Sequence, residues 1–266
     1  MSAPLTVVVG ATDLDATAAF LALLDFAEES RGVHDHTVAA ARYGHESPTA
    51  WRRLTAGGTT RGAFRLVETA HAGAARAAIE MGPLAVDVYT RDMDASIARL
   101  DDAGVEHGHV GTLDLGALVM RQCEVIAPDG WRLVLVEANH RRPSILDDDP
   151  DRLHSEVHSV LWTVPSIADA TPGLTAFGLT QAHVFPIRHP ELARIISLPA
   201  PDTEMTMNLL VDDAESPIRV ELCEFADHPG APAGPGPLRG GIHAIAFGES
   251  TRATTQTFAS GVRIER

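Results

Sequence analysis

"AVDVYTRDMDASIARL", Ala85 to Leu100, starts as a strand and ends as a helix, and its recurrence along the chain decides the fold. Strand-forming residues run to Thr90. Asp92 then stands where a helix needs its N-cap, with a side-chain oxygen suited to the free amides of the first turn. The same plan appears in "VVVGATDLDATAAF" (Val7 to Phe20), with Asp13 as cap. It returns in "HSVLWTVPSIADA" (His158 to Ala170), where Ser166 caps and Asp169 follows as in a capping box, and in "HAIAFGESTRATTQTF" (His243 to Phe258) around Ser250. Successive caps lie 79, 74 and 84 residues apart, so the chain reads as four modules of similar length.

Strand-like stretches close the first three modules: "AFRLVE" to Glu68, "WRLVLVE" to Glu137 and "IRVELCE" to Glu224. With less regular strand candidates between helix and closing strand, such as "LVMRQCEVIAP" and "MTMNLLV", each module reads as strand, helix, then three strands. "APDGWRLVLVE" carries a Pro-Asp-Gly turn, a hairpin signal. Residues 139–156, polar, charged and containing Pro, read as a linker between 1–138 and 157–266, so modules one and two are expected to pair, and three and four. The fourth module is short. From Gly241 only 26 residues remain, which predicts one strand, a helix over Thr251 to Ala259 and "VRIER". An unpaired sheet edge would follow, to be covered by a second copy in a homodimer or by a segment of the same chain.

Bulk properties exclude several classes. A net charge of −15 argues against nucleic acid, whose phosphates demand a basic face. All 21 basic residues are Arg, which removes a Schiff-base lysine and a P-loop. No apolar run has the length of a membrane span, and the first residues lack the basic region of a secretory signal. Cys123 and Cys223 are too few for a disulfide framework. A cytoplasmic protein with a small-molecule substrate or ligand, and no nucleic-acid or membrane partner, is the expectation.

The repeated module resembles the vicinal oxygen chelate superfamily, which includes glyoxalase I, extradiol dioxygenases and the bleomycin resistance proteins. The stretches that carry the likeness are "TDLDATAAF", "IAPDGWRLVLVE", "IRVELCEF" and "GGIHAIAFGE". It implies an α+β fold of βαβββ modules paired into two half-barrel, glyoxalase-like domains, with the fourth module truncated. It also implies metal-ligand positions early in each module's first strand and inside its last. Carried onto this chain, the amino-terminal half offers Thr6, Arg65, Ala85 and Val134, none suited to a divalent cation. The carboxy-terminal half offers His158 (or Ser159), Glu221 and His243 as metal ligands. Alternation puts Arg219, Glu221 and Cys223 on one strand face, and His243, Ile245 and Phe247 on another.

Two imidazoles and a carboxylate can hold iron, manganese, zinc or nickel and leave positions open for substrate. The resemblance thus implies a metal-dependent lyase, isomerase or dioxygenase acting on a small oxygenated molecule, with Glu221 and His183 as catalytic candidates. Trp162 and Phe247 would wall the substrate pocket. The alternative is a protein without metal that binds a drug or metabolite, as bleomycin resistance proteins do. His34, His36 and His45 read as an exposed loop, as do His107 and His109. Cys223 reads as a small buried hydrophobe. Both tyrosines, Tyr43 and Tyr89, lie in the amino-terminal half, away from the expected metal cleft.

Overall fold

In the computed structural model, which describes residues 5–59, 61–73, 77–211, 219–225, 238–247, 255–258 and 261–265, the expected caps begin helices. Asp13 accepts from the amide of Ala16 at 2.9 Å, Asp92 from Ala95 at 3.0 Å and Ser166 from Asp169 at 3.2 Å. Ser250 lies outside the described residues.

Module one comprises β1 (Leu5–Ala11), α1 (Leu14–Ala22), β2 (Phe26–His34), α2 (His36–Tyr43), β3 (Thr49–Ala56) and β4 (Ala63–Glu68). Module two comprises β5 (Gly82–Thr90), α3 (Met93–Asp102), β6 (Gly111–Asp114), β7 (Val119–Ile126) and β8 (Arg132–Ala138). Module three holds β9 (His154–Thr163), α4 (Ile167–Ala176), β10 (Thr180–Ile187), α5 (Pro190–Ile195), β11 (Met205–Val211) and β12 (Arg219–Phe225). The fourth retains β13 (Gly241–Phe247), β14 (Thr255–Thr257) and β15 (Arg263–Glu265). "TQT" is thus a strand inside the segment expected to be helical, because its residues pair with β15 in antiparallel register.

The pairing of modules differs from the expected one. One seven-stranded sheet, here called A, runs β14-β15-β13-β1-β4-β3-β2 and joins module one to module four. An eight-stranded sheet, B, runs β10-β11-β12-β9-β5-β8-β7-β6 and joins module two to module three. The division at 139–156 therefore falls inside sheet B and does not separate the two half-barrels. The physical reason is that the leading strands are alike. β1 is buried along its whole length, and β5, β9 and β13 nearly so, so each needs a neighbour on both edges. Alternating apolar residues demand such neighbours without naming them. β13 pairs with β1 on one side and on the other with β15, which runs parallel to it and itself pairs with β14, the strand at that edge of sheet A.

The backs of both sheets share one core with the helices. Val7, Val9, Val86, Val88 and Trp162 belong to it, and Trp131 meets Phe20 at 6.0 Å and Phe64 at 5.8 Å across modules one and two. Polar ties add register. Thr12 bonds Asp129 through both its amide and its hydroxyl.

Asp25, left-handed at φ 63°, bonds His154 Nδ1 at 3.1 Å, and His154 Nε2 meets Ser96 Oγ at 3.0 Å. That is the order of a nucleophile relay, but Ser96 and His154 are both 0% exposed. No substrate reaches them, and the chain of bonds fastens modules one, two and three. Burial alone would raise the Asp25 carboxyl, but hydrogen bonds from His154 and Arg99 outweigh it and hold it below the ordinary range. Cys123 and Cys223 are free and buried, and among the described residues no helix is long and apolar enough to cross a membrane.

Candidate binding cup in sheet B

Strand alternation sends Val86 and Val88 of β5 into the common core and Ala85, Asp87 and Tyr89 to the concave face of sheet B. A cavity of about 530 Å³ lies there. Most of its wall is apolar, with Leu113 and Met120 on one side, Leu192 on α5, and Met205 and Met207 opposite. That size and lining suit a small organic molecule. Asp87, Tyr89, His158, Arg219 and Glu221 form one polar cluster in its wall, and Gln122, Glu124, His140, Arg141 and Arg142 add further polar lining.

His158 reaches the cluster because β9 bulges. Asp87 pairs with Ser159 and Val88 with Val157, leaving His158 as the extra residue, and a bulge re-aims a side chain. Its Nε2 accepts from the Arg219 guanidinium, and its ring lies 3.8 Å from that of Tyr89. Arg219 Nε sits 3.4 Å from Glu221 Oε1, which also accepts from the hydroxyl of Ser159 at 2.7 Å. The Tyr89 hydroxyl accepts from the amide of Arg142 at 3.3 Å.

Asp87 is 7% exposed, and its Oδ1 has no hydrogen-bond partner. Burial, and then the charge of Glu221, push its carboxyl well above the ordinary range, with Arg219 opposing. Burial raises the Tyr89 phenol and the Cys223 thiol as well.

The residues expected to hold a metal are not brought together. His158 and Glu221 share this cup, whereas His243 lies in sheet A. Ala85 and Val134, also at ligand positions around the cavity, have no donor atoms. The Nε2 lone pair of His158 is directed at a guanidinium, and that cation stands beside Glu221. Among the described residues no three His, Cys, Asp or Glu side chains gather as a ligand set. This donor set does not fit a divalent cation.

Other expectations shift too. His183 is exposed on β10, an edge strand of sheet B, away from the cavity. Trp162 is 1% exposed in the common core, and Phe247 packs against that same core. Neither walls the cavity. Cys223 is a buried apolar contact, as expected. His107 and His109 lie in the stretch before β6, His107 forming a single bridge to Val125. His34 is not in an exposed loop, since it ends β2 half-buried and stacks on Trp51 at 5.6 Å.

Tyr89, Asp87 and Arg219 were not singled out as site residues. Tyr89 joins His158 because module two pairs with module three. Asp87 could have been found two residues along β5 from Ala85, on the same face.

Sheet A carries a matching trio. His243 is also a bulge residue, between Ala244 paired with Val8 and Ile242 paired with Val9. Its Nδ1 accepts from Arg263 at 3.1 Å, so R-x-E recurs as Arg263-Ile264-Glu265. Glu265 accepts from Arg65 at 2.8 Å, with Arg42 at 3.9 Å. Here Tyr43 of α2, 1% exposed, packs with Val8, Val67, Ala244 and Ala246, its ring 6.1 Å from that of His243. Burial, and then Arg263, lower the His243 imidazole to about 3. Burial raises the Glu265 carboxyl against the pull of Arg65 and Arg42.

No protein-family model matches the sequence, and no curated protein sequence matches it. Solved structures do match. Glyoxalase I from Zea mays aligns over 100% of this chain and 92% of its own, at a TM-score of 0.64 and 13% identity. A candidate dioxygenase from Bacillus subtilis aligns over 99% of this chain and 84% of its own, at 0.63 and 11%. A bleomycin resistance determinant encoded on transposon Tn5 covers 51% of this chain and 97% of its own, at 0.35 and 16%. Two half-barrels of repeated modules, aligned end to end with glyoxalase I, give this chain the vicinal oxygen chelate fold.

Proposed function

We propose that this protein binds a small, mainly apolar organic molecule in the cup of sheet B and does so without a metal. The observation that carries this is the cavity of about 530 Å³, mostly apolar in its lining and carrying the cluster of Asp87, His158, Arg219 and Glu221 in its wall. Apolar walls supply affinity, and a few convergent polar groups fix orientation. The metal-dependent reading implied by the fold is set aside, because Arg219 occupies the space between the two side chains that would have to share the ion.

The test is titration with N-phenyl-1-naphthylamine, a neutral apolar dye that fluoresces on leaving water. One dye per chain is expected, with binding abolished by Met207→Trp, which fills the cavity. Undiminished binding to that variant would place the dye elsewhere and sink the reading.

A catalytic reading is favoured by one observation, the buried carboxyl of Asp87, whose Oδ1 is unpartnered and whose pKa burial and the neighbouring Glu221 push well above the ordinary range. Two carboxyls with different environments can divide acid and base roles. Deuterium exchange at carbon 3 of 2-decanone, followed by proton NMR, tests it. Exchange no faster than in buffer, with the ketone bound, removes this reading.

A further inference from the structure

We propose that Arg219 is the resident cation of the cup, taking the place of a metal ion, and that the ligand presents an oxygen acceptor, a carboxylate or a carbonyl, to its guanidinium. This rests on the binding reading above and names the chemistry of the ligand's polar end.

The geometry supports it in three ways. Arg219 is fixed from two sides, Nη2 on His158 and Nε near Glu221, so it is held in place before any ligand arrives. Nη1 has no hydrogen-bond partner among the described residues, although the side chain lines the cavity. A guanidinium presents several donors in one plane, suited to one or two oxygens at once.

The neighbours fit the same occupant. Asp87 in its protonated form is a donor, and a protonated carboxyl beside Arg219 offers a second hydrogen bond to the same oxygen end. Glu221 is already engaged by Ser159 and Arg219, so its role is to hold the cation rather than to receive the ligand. An amine-ended molecule would meet Arg219 as a like charge. Leu113, Met120 and Met207 also line the cavity and match an alkyl or aryl body.

The experiment displaces N-phenyl-1-naphthylamine from the full chain with three chain-matched molecules: decanoate, 2-decanone and decylamine. All titrations are run in EDTA and repeated with added zinc or manganese. In the wild type, decanoate or 2-decanone should displace the dye at least about tenfold more effectively than decylamine, with no change on adding metal. Whichever oxygen compound is tighter tells carboxylate from carbonyl.

Arg219→Met keeps an apolar stem of similar length. It should lose the preference for oxygen over amine, whatever its affinity for the dye. Three results overturn the proposal: decylamine binding as well as the oxygen compounds, oxygen-compound binding that needs added metal, or a preference that survives in Arg219→Met. Should Arg219→Met fail to fold, the wild-type comparison and the metal series decide alone. If the dye does not bind the wild type, the binding reading falls and this inference with it. If the dye binds but the oxygen compounds show no preference, only this inference falls.

Discussion

In sheet B, His158, Arg219 and Glu221 border a cavity; in sheet A, His243, Arg263 and Glu265 stand on the corresponding strands and are packed beneath Tyr43. Each histidine sits on a bulge of its module's leading strand, and each accepts a hydrogen bond from the arginine of R-x-E on the last. The trio therefore does not decide whether a cup is hollow. Among the described residues, what differs is the insertion between the second and third strands of modules one and three. In module one it is α2, which carries Arg42 and Tyr43 into the concave face. In module three it is the shorter α5, which supplies Leu192 as wall. One repeated plan thus carries, among the described residues, a buried cluster around Tyr43 in sheet A and a cavity in sheet B.

Removing the buried carboxylate should separate the two cups most sharply. Glu265→Ala strands Arg65 and Arg42 without their shared anion and should cost about 3–5 kcal/mol in urea denaturation. Glu221→Ala, next to a cavity that can admit water, should cost about 1–3 kcal/mol. Equal costs would break the comparison. Tyr43→Ala should cost about 3 kcal/mol and create a second site for the naphthylamine dye. An unchanged stoichiometry in a folded variant would mean that Tyr43 is not what fills sheet A.

The buried carboxyl of Asp87 gives a signature in pH. Because folding raises its pKa, the folded chain keeps a proton that the unfolded chain releases above the ordinary carboxylate range. Its contribution is fully present in acid and is lost as pH rises toward the folded-state value. Asp87→Asn should therefore gain on the wild type as pH increases, by about 1–3 kcal/mol near neutrality. A difference independent of pH would show that Asp87 is ionised in the fold. The smallest effect expected is none: EDTA should leave Tm unchanged, and a drop of several degrees would show that a structural metal had been removed.

The modules were legible because their signals are local. Asp13, Asp92 and Ser166 each precede a helix, and a capping oxygen acts within four residues. Which module pairs with which was not legible, since four leading strands with the same burial offer the same edges. That error carried His243 into the wrong cup and kept Tyr89 out of the right one. His158 and Glu221, which the resemblance offered as metal ligands, both line the cavity of sheet B. Arg219 shares a face with Glu221 in the sequence, but its contact with His158 depends on the bulge in β9, which local pattern does not show. Asp87 lies two residues beyond Ala85 on the same face, and a lone acidic residue in a strand does not by itself signal burial.

The nesting of the modules has a consequence for synthesis. Sheet B is built from consecutive modules and can close once β12 has left the ribosome. Sheet A cannot, because Leu5 pairs with Phe247, and Arg65 meets Glu265 200 residues further along the chain. Throughout the translation of modules two and three, β1 has one edge without its partner, so sheet A is the part most exposed to mispairing. Nascent chains stalled after Phe225 should resist protease within modules two and three and be cut within module one. Protection of module one at that length would show that β13 is dispensable for it. Arrival of β13 thus acts as a proofreading step, in which a late strand decides whether an early one is kept.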